Sequence, residues 1–238
     1  MILLIQLFLA HLIGDFLLQP TSWVIAKEQQ KLRAYQLYLH TFIHGLLILF
    51  ITWDLSLWPL ALLLSGMHLL IDGLKINLQK ESTQRAYFFY DQLAHIISIV
   101  FLWAVYVDFE FAHFSIFKLQ TLLLFTSLFL ITIPTSIFIK LFISKWTPHT
   151  EDKKDNSLQN AGKYIGYIER VLVFIFIIFD HWEAVGFLIT AKSVFRFGDL
   201  KASKDRKLTE YVLIGTLLSF GIALLIGIAY HYLSNFTF

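Results

Sequence analysis

The sequence predicts an all-α fold, a polytopic helical bundle embedded in a membrane with about eight transmembrane helices. Three observations predict it. Apolar residues make up 57% of the 238 positions and charged residues only 15%, whereas soluble domains carry roughly 45–50% and ~25%. The apolar residues also lie in charge-poor runs about as long as the 17–25 residues needed to cross hydrocarbon. Those runs are uniformly apolar instead of alternating, which argues against a β-barrel.

The runs fall at about 1–19, 37–53, 57–74, 88–107, 119–143, 164–180, 182–198 and 209–231. The first lacks a basic leader and a small-residue cleavage site and carries an acid inside, so it is read as a retained helix and not as a removable signal. Pro59 suits the first turn of the third run, Pro134 predicts a kink in the fifth, and Pro20 and Pro148 mark loops. The one long polar linker, 144–163, divides an N-terminal membrane bundle (1–143) from a three-helix C-terminal portion (164–238).

Orientation follows from the cations, because positively charged loops stay in the cytoplasm. Lys27, Lys31 and Arg33 follow the first run; Lys75, Lys80 and Arg85 the third; Lys145, Lys153, Lys154 and Lys163 the fifth; Lys201, Lys204, Arg206 and Lys207 the seventh. The opposite loops hold only Lys118. The pattern predicts an eight-span protein with both termini outside, and the six Trp sit near run ends as an interfacial belt requires. Without Cys there is no disulfide framework, thiolate metal site or Cys nucleophile, and a net charge of +2 gives no reason to expect nucleic acid.

Imidazoles and acids are expensive at membrane depth, so those in the first four runs require a reason. They occur as pairs: His11 with Asp15, His40 with His44, His68 with Asp72, and Asp91 with His95. Each pair is spaced i, i+4, which turns a helix by about 400° and leaves both side chains on one face. In the cation-based topology all four pairs lie in one layer on the cytoplasmic half. The eight groups are therefore expected to converge in one core site able to ligate one or two divalent ions. Zn is the metal expected from His-rich ligation, with Fe or Mn suiting a mixed nitrogen and oxygen set. Asp15, Asp72 and Asp91 are the candidates for catalytic base.

Gly14, Gly45, Gly66 and Gly73 flank the pairs and predict close helix approach. Gln19 stands one turn from Asp15 and is read as a supporting group, while Gln92, off the face of Asp91, is read as a structural hydrogen bonder. His113, His149, His181 and His231 are read as solvated. In the C-terminal portion Lys192 and Arg196, also i, i+4, form a candidate anion-binding pair; the competing reading joins Arg196 to Glu169, Arg170 and Glu210 in an ion-pair network.

The series HLIGDFLLQ, HTFIH, HLLID and DQLAH, followed by GKYIGYIERVL, AKSVFRFGDLK and EYVLIGTLLS, resembles the bacterial membrane family DUF3307 over nearly the whole chain. That resemblance implies an inner-membrane setting and no established reaction. The helices are also similar in style to inner-membrane proteins described as metal-dependent hydrolases. Together with the ligand set this leads to an expected metal-dependent hydrolase at the cytoplasmic leaflet, acting on a lipid-like or anionic substrate. A metal-ion or proton-coupled transporter is the second reading, weakened because the polar groups share one depth. A di-iron oxygenase is disfavoured because only His40 and His44 form an H-x-x-x-H pair. A metal-free structural or partner-binding protein, held by interhelical His–Asp hydrogen bonds, remains the third.

Overall fold

The computed structural model of the chain describes residues 1–108, 117–146, 156–197 and 205–235; the side chains at 108, 156–161, 195–197 and 205–209 lie outside the described set. Among the described residues every regular element is helical. The chain forms two compact units, Met1–Leu122 and Leu123–Phe238.

The first unit contains α1 (Ile2–Phe16), α2 (Thr21–Gln30), α3 (Tyr35–Thr52), α4 (Trp58–Leu78) and α5 (Gln84–Asp108), and the start of α6 (Leu119–Leu130). The first membrane helix ends sooner than the run 1–19 predicts. Pro20 disfavours helical geometry at Gln19, and the N–H groups of Leu17 and Leu18 both turn back to the Ile13 carbonyl. At 15 residues α1 is roughly 22 Å long, short of a ~30 Å core. The chain then bends by 79° into α2 and the short turn that follows it. Trp53 closes α3 in the left-handed region (φ 53°), and Asp54 accepts a hydrogen bond from the Ser56 N–H at 2.9 Å to start the next turn.

Within this unit α1 packs on α3 and α5, α3 on α4, and α4 on α5. One face of these helices carries a three-tier pattern. One turn from His11, His44, His68 and His95 stand Leu7, Ile48, Leu64 and Ile99, which join the buried apolar core. In the opposite direction the same faces continue to Asp15, His40, Asp72 and Asp91. The i±4 register thus stacks an apolar tier, an imidazole tier and a tier dominated by carboxylates.

The second unit contains the rest of α6, α7 (Ile133–Ile143), α8 (Asn156–Ile178), α9 (Trp182–Phe197) and α10 (Asp205–Asn235). Val173, Phe174, Ile177, Val185, Phe220 and Ala223 form its core. A Cβ on Gly227 would meet Ile177 at 2.8 Å, so glycine sets how closely α10 approaches α8. The kink predicted at Pro134 is a break between α6 and α7. Pro134 offers no N–H to the Leu130 carbonyl, which instead accepts from Thr135 Oγ1 at 2.6 Å.

By length and composition, five stretches are able to cross a membrane: Tyr35–Thr52, Leu55–Leu78, Glu81–Val107, Leu119–Trp146 and Glu210–Asn235. The bent pair of α1 with Thr21–Arg33 makes a sixth if counted as one span. The expected count of about eight is therefore larger than the helices alone support. The difference lies in α1, cut short by Pro20, in α9, which has only 16 residues, and in α8, which begins with the polar Asn156–Lys163 stretch.

Candidate metal centre

All eight paired side chains meet between α1, α3, α4 and α5. The five imidazoles are almost wholly buried, His40 fully so, as are Asp72 and Asp91. His68 stacks on His44 with ring centroids 3.8 Å apart and on His95 at 4.1 Å. His11 lies 5.0 Å from His95, and His40 lies 4.6 Å from His44. Gly14 makes the approach of α3 possible, since any Cβ there would run into the His44 ring. Gly45 similarly admits Ser65. The other two glycines differ: a Cβ on Gly73 would make only ordinary contact with Leu32, and one on Gly66 would meet nothing.

Asp15 is the hub. Its Oδ1 lies 3.1 Å from His44 Nε2, 3.2 Å from His40 Nε2 and 3.6 Å from His68 Nε2. Its Oδ2 lies 3.8 Å from His11 Nε2 and accepts a hydrogen bond from Gln92 Nε2 at 2.8 Å. Three groups of ligand atoms within 4.8 Å of one another could hold a metal ion: His11, Asp15, His44 and His68; His40, His68 and Asp72; Asp15, Asp91 and His95. The spacings around Asp15 bracket the edge of a tetrahedron built on ~2.0–2.2 Å bonds, roughly 3.3–3.6 Å.

Three further atoms bear on the fit. His40 Nδ1, Asp91 Oδ1 and His95 Nε2 are buried without a hydrogen-bond partner, although buried polar groups are ordinarily paired. The last two are 3.5 Å apart. A cavity of about 20 Å³ lies between the imidazole tier and Leu7, Ile48, Leu64 and Ile99, room for one water. His95 Nε2 also lies 3.6 Å from Asp72 Oδ1, within a mixed nitrogen and oxygen set that could hold a cation.

Two cations absent from the expected site also enter it. Lys27 Nζ donates to Asp72 Oδ2 at 2.6 Å, and Lys75 Nζ to Asp91 Oδ2 at 2.8 Å. Lys75 was legible, three residues beyond Asp72 on one helix face; Lys27 was not, because only the bend after α1 swings it inward. Gln19 lies 3.0 Å from His40, a supporting position as expected. Gln92 does more than expected, spanning Asp15, Asp91 at 3.3 Å and His11 at 3.4 Å, because its long side chain reaches across from a neighbouring face.

The second unit treats its charges differently. Lys192 is held by Glu169 and lies 5.6 Å over the Phe220 ring, so its ammonium is engaged within the protein. The Arg196 side chain lies outside the described residues, as do His113 and His149. Arg170, expected in an ion-pair network, instead donates to the carbonyls of Ile131 and Thr132 and to the hydroxyls of Ser136 and Ser219.

Helices able to span a membrane, three of which surround a buried His/Asp centre together with the shorter α1, define a membrane protein whose core could bind metal. The chain belongs to the family DUF3307, described as a protein of unknown function, whose model matches residues 3–124. The match takes in every residue of the centre and ends with the first unit; the later motifs read as part of the resemblance lie beyond it. No curated protein and no solved structure matches the chain.

Proposed function

We propose that this protein is a metal-dependent hydrolase embedded in the bacterial inner membrane, with its centre in the cytoplasmic half. The observation that carries the reading is the convergence of His11, Asp15, His44 and His68 on one point, beside His95 Nε2 and Asp91 Oδ1, which lie 3.5 Å from each other. Those four side chains hold a divalent ion, Zn²⁺ by the chemistry of the set, with Fe or Mn as the other candidates. Such an ion lowers the pKa of a water and polarises an ester or phosphoryl oxygen.

The remaining residues handle position and protons. Gln92 fixes Asp15 by donating to its second oxygen. Asp91 Oδ1, with His95 Nε2 3.5 Å away, would accept the proton of the attacking water. The apolar tier of Leu7, Ile48, Leu64 and Ile99 excludes further water. Substrate enters from the opposite side, as an anionic, lipid-like molecule drawn to the cation-rich connections at the leaflet surface. The cation-rich connections after α1 and α4 support placing that side in the cytoplasm, with eight crossings and both termini outside.

A metal-free polar core is the second reading. It is favoured by the two Lys–Asp pairs, which neutralise two of the three acids without any metal.

Metal analysis of protein purified without a polyhistidine tag decides between them. Bound metal in the wild type, lost in His44→Ala/His68→Ala, together with chelator-sensitive hydrolysis of a labelled lipid phosphate or ester, is the expected result. Wild-type protein that stays metal-free after incubation with Zn²⁺ would overturn the assignment.

A further inference from the structure

Lys27 is the least expected member of the centre. A lysine following a transmembrane helix ordinarily points to water, where its ammonium is strongly hydrated. Here its side chain is only 6% exposed, and its ammonium sits on Asp72, within the donor group of His40, His68 and Asp72.

The segment that delivers it is tied down over its whole length. Gln19 reaches His40 at its entrance. Glu28 accepts from Gln79 at 3.0 Å and from Gln84 at 3.3 Å, and Lys31 donates to the Ile76 carbonyl at 2.6 Å. Lys31 itself has φ 56° and ψ −133°, a conformation L residues seldom adopt outside glycine, so the tertiary contacts hold the segment's exit under strain.

Charge balance explains what such an ammonium does. With imidazoles neutral, as ligation requires, three carboxylates against two ammoniums leave the centre one negative charge in excess. One divalent ion turns that into one positive charge, which a hydroxide cancels. Two divalent ions would leave three positive charges in a low-dielectric interior, where uncompensated charge is heavily penalised. Among the three carboxylates, Asp15 alone has no lysine on it.

We propose that Lys27 is a built-in counter-cation occupying a second cation site formed by His40 and Asp72. It restricts the centre to one divalent ion, on His11, Asp15, His44 and His68, and bolts Thr21–Arg33 across the lysine-lined entrance. A second divalent ion and the seated Lys27 exclude one another. This rests on the metal-binding reading of the same centre.

The test is zinc stoichiometry on full-length protein in detergent, by metal analysis after equilibration with Zn²⁺ and removal of loosely held ion. The wild type should hold one equivalent, Lys27→Met two, and Lys27→Arg one. Asp72→Asn should keep its single equivalent, because the primary ion does not use that carboxylate. Two equivalents in the wild type, or loss of the ion in Asp72→Asn, would overturn the proposal while leaving metal binding intact. These two measurements decide it even if Lys27→Met does not fold. If Lys27→Met folds and holds one equivalent, the proposal also fails. No zinc in the wild type would remove the metal reading and this inference together.

Discussion

Both units bury charge among apolar helices, and they resolve the cost in opposite ways. In the first unit three acids and two lysines surround five imidazoles, yet Asp91 Oδ1, His95 Nε2 and His40 Nδ1 make no hydrogen bond. In the second unit a single guanidinium, Arg170, spreads its donors over two carbonyls and two hydroxyls. The first arrangement leaves coordinating capacity unused, and the second uses its donors to close a broken helix. The contrast separates a site built to take a ligand from one built to hold a fold, since both place charge in a buried setting.

Replacing Arg170 tests the closed half of that comparison and should have the largest effect on stability. Arg170→Met removes the donors serving the Ile131 and Thr132 carbonyls at the α6–α7 break. The Thr132 carbonyl still accepts from the Ser136 N–H at 3.1 Å, so the Ile131 carbonyl alone is left unsatisfied, and a loss of about 1–3 kcal/mol is expected. Thermal unfolding in detergent measures it, and zinc content measured alongside should not change. A variant that keeps its stability but loses zinc would mean that Arg170 serves the ligand-binding centre, and the division of labour would be wrong.

Gln92→Ala tests the open half with a smaller effect. Its amide ties together Asp15, Asp91 and His11 without being one of the proposed ligands. Groups that orient metal ligands typically contribute 10–100-fold in affinity, so zinc affinity, measured by competition with a chromophoric chelator, should fall by roughly that range. An unchanged affinity would show that the four ligands need no external alignment.

What could be read from the chain beforehand follows the same division. The helix period fixes which side chains share a face, so the i, i+4 pairs announced that these eight side chains would line the facing sides of four helices. Lys75 and the apolar tier of Leu7, Ile48, Leu64 and Ile99 were encoded in that same register. Lys27 was not, because its position depends on a 79° bend whose direction is set by contacts with α3 and α4 and not by local pattern. Arg170 illustrates the complementary limit. Pro134 announces that backbone carbonyls will lose partners, but which distant side chain reaches them is a tertiary fact. The span count was less legible for a related reason: hydropathy measures apolar length, whereas α1 stops at Phe16 ahead of Pro20 and α9 has only 16 residues.

The smallest effect is expected at Lys192, and it bears on whether the second unit takes any part in binding. Lys192 pairs with Glu169, and their side chains are 27% and 14% exposed. Partly exposed pairs are screened and contribute about 0–1 kcal/mol, so Lys192→Gln should lower the unfolding midpoint only slightly and leave zinc content unchanged. Its kinetic consequence is the sharper measurement. If the ammonium serves only Glu169 and the face of Phe220, the KM for an anionic lipid substrate stays at its wild-type value. A raised KM with unchanged kcat and stability would instead assign Lys192 to substrate binding, as its spacing with Arg196 first suggested, and ligand recognition would then extend beyond the first unit.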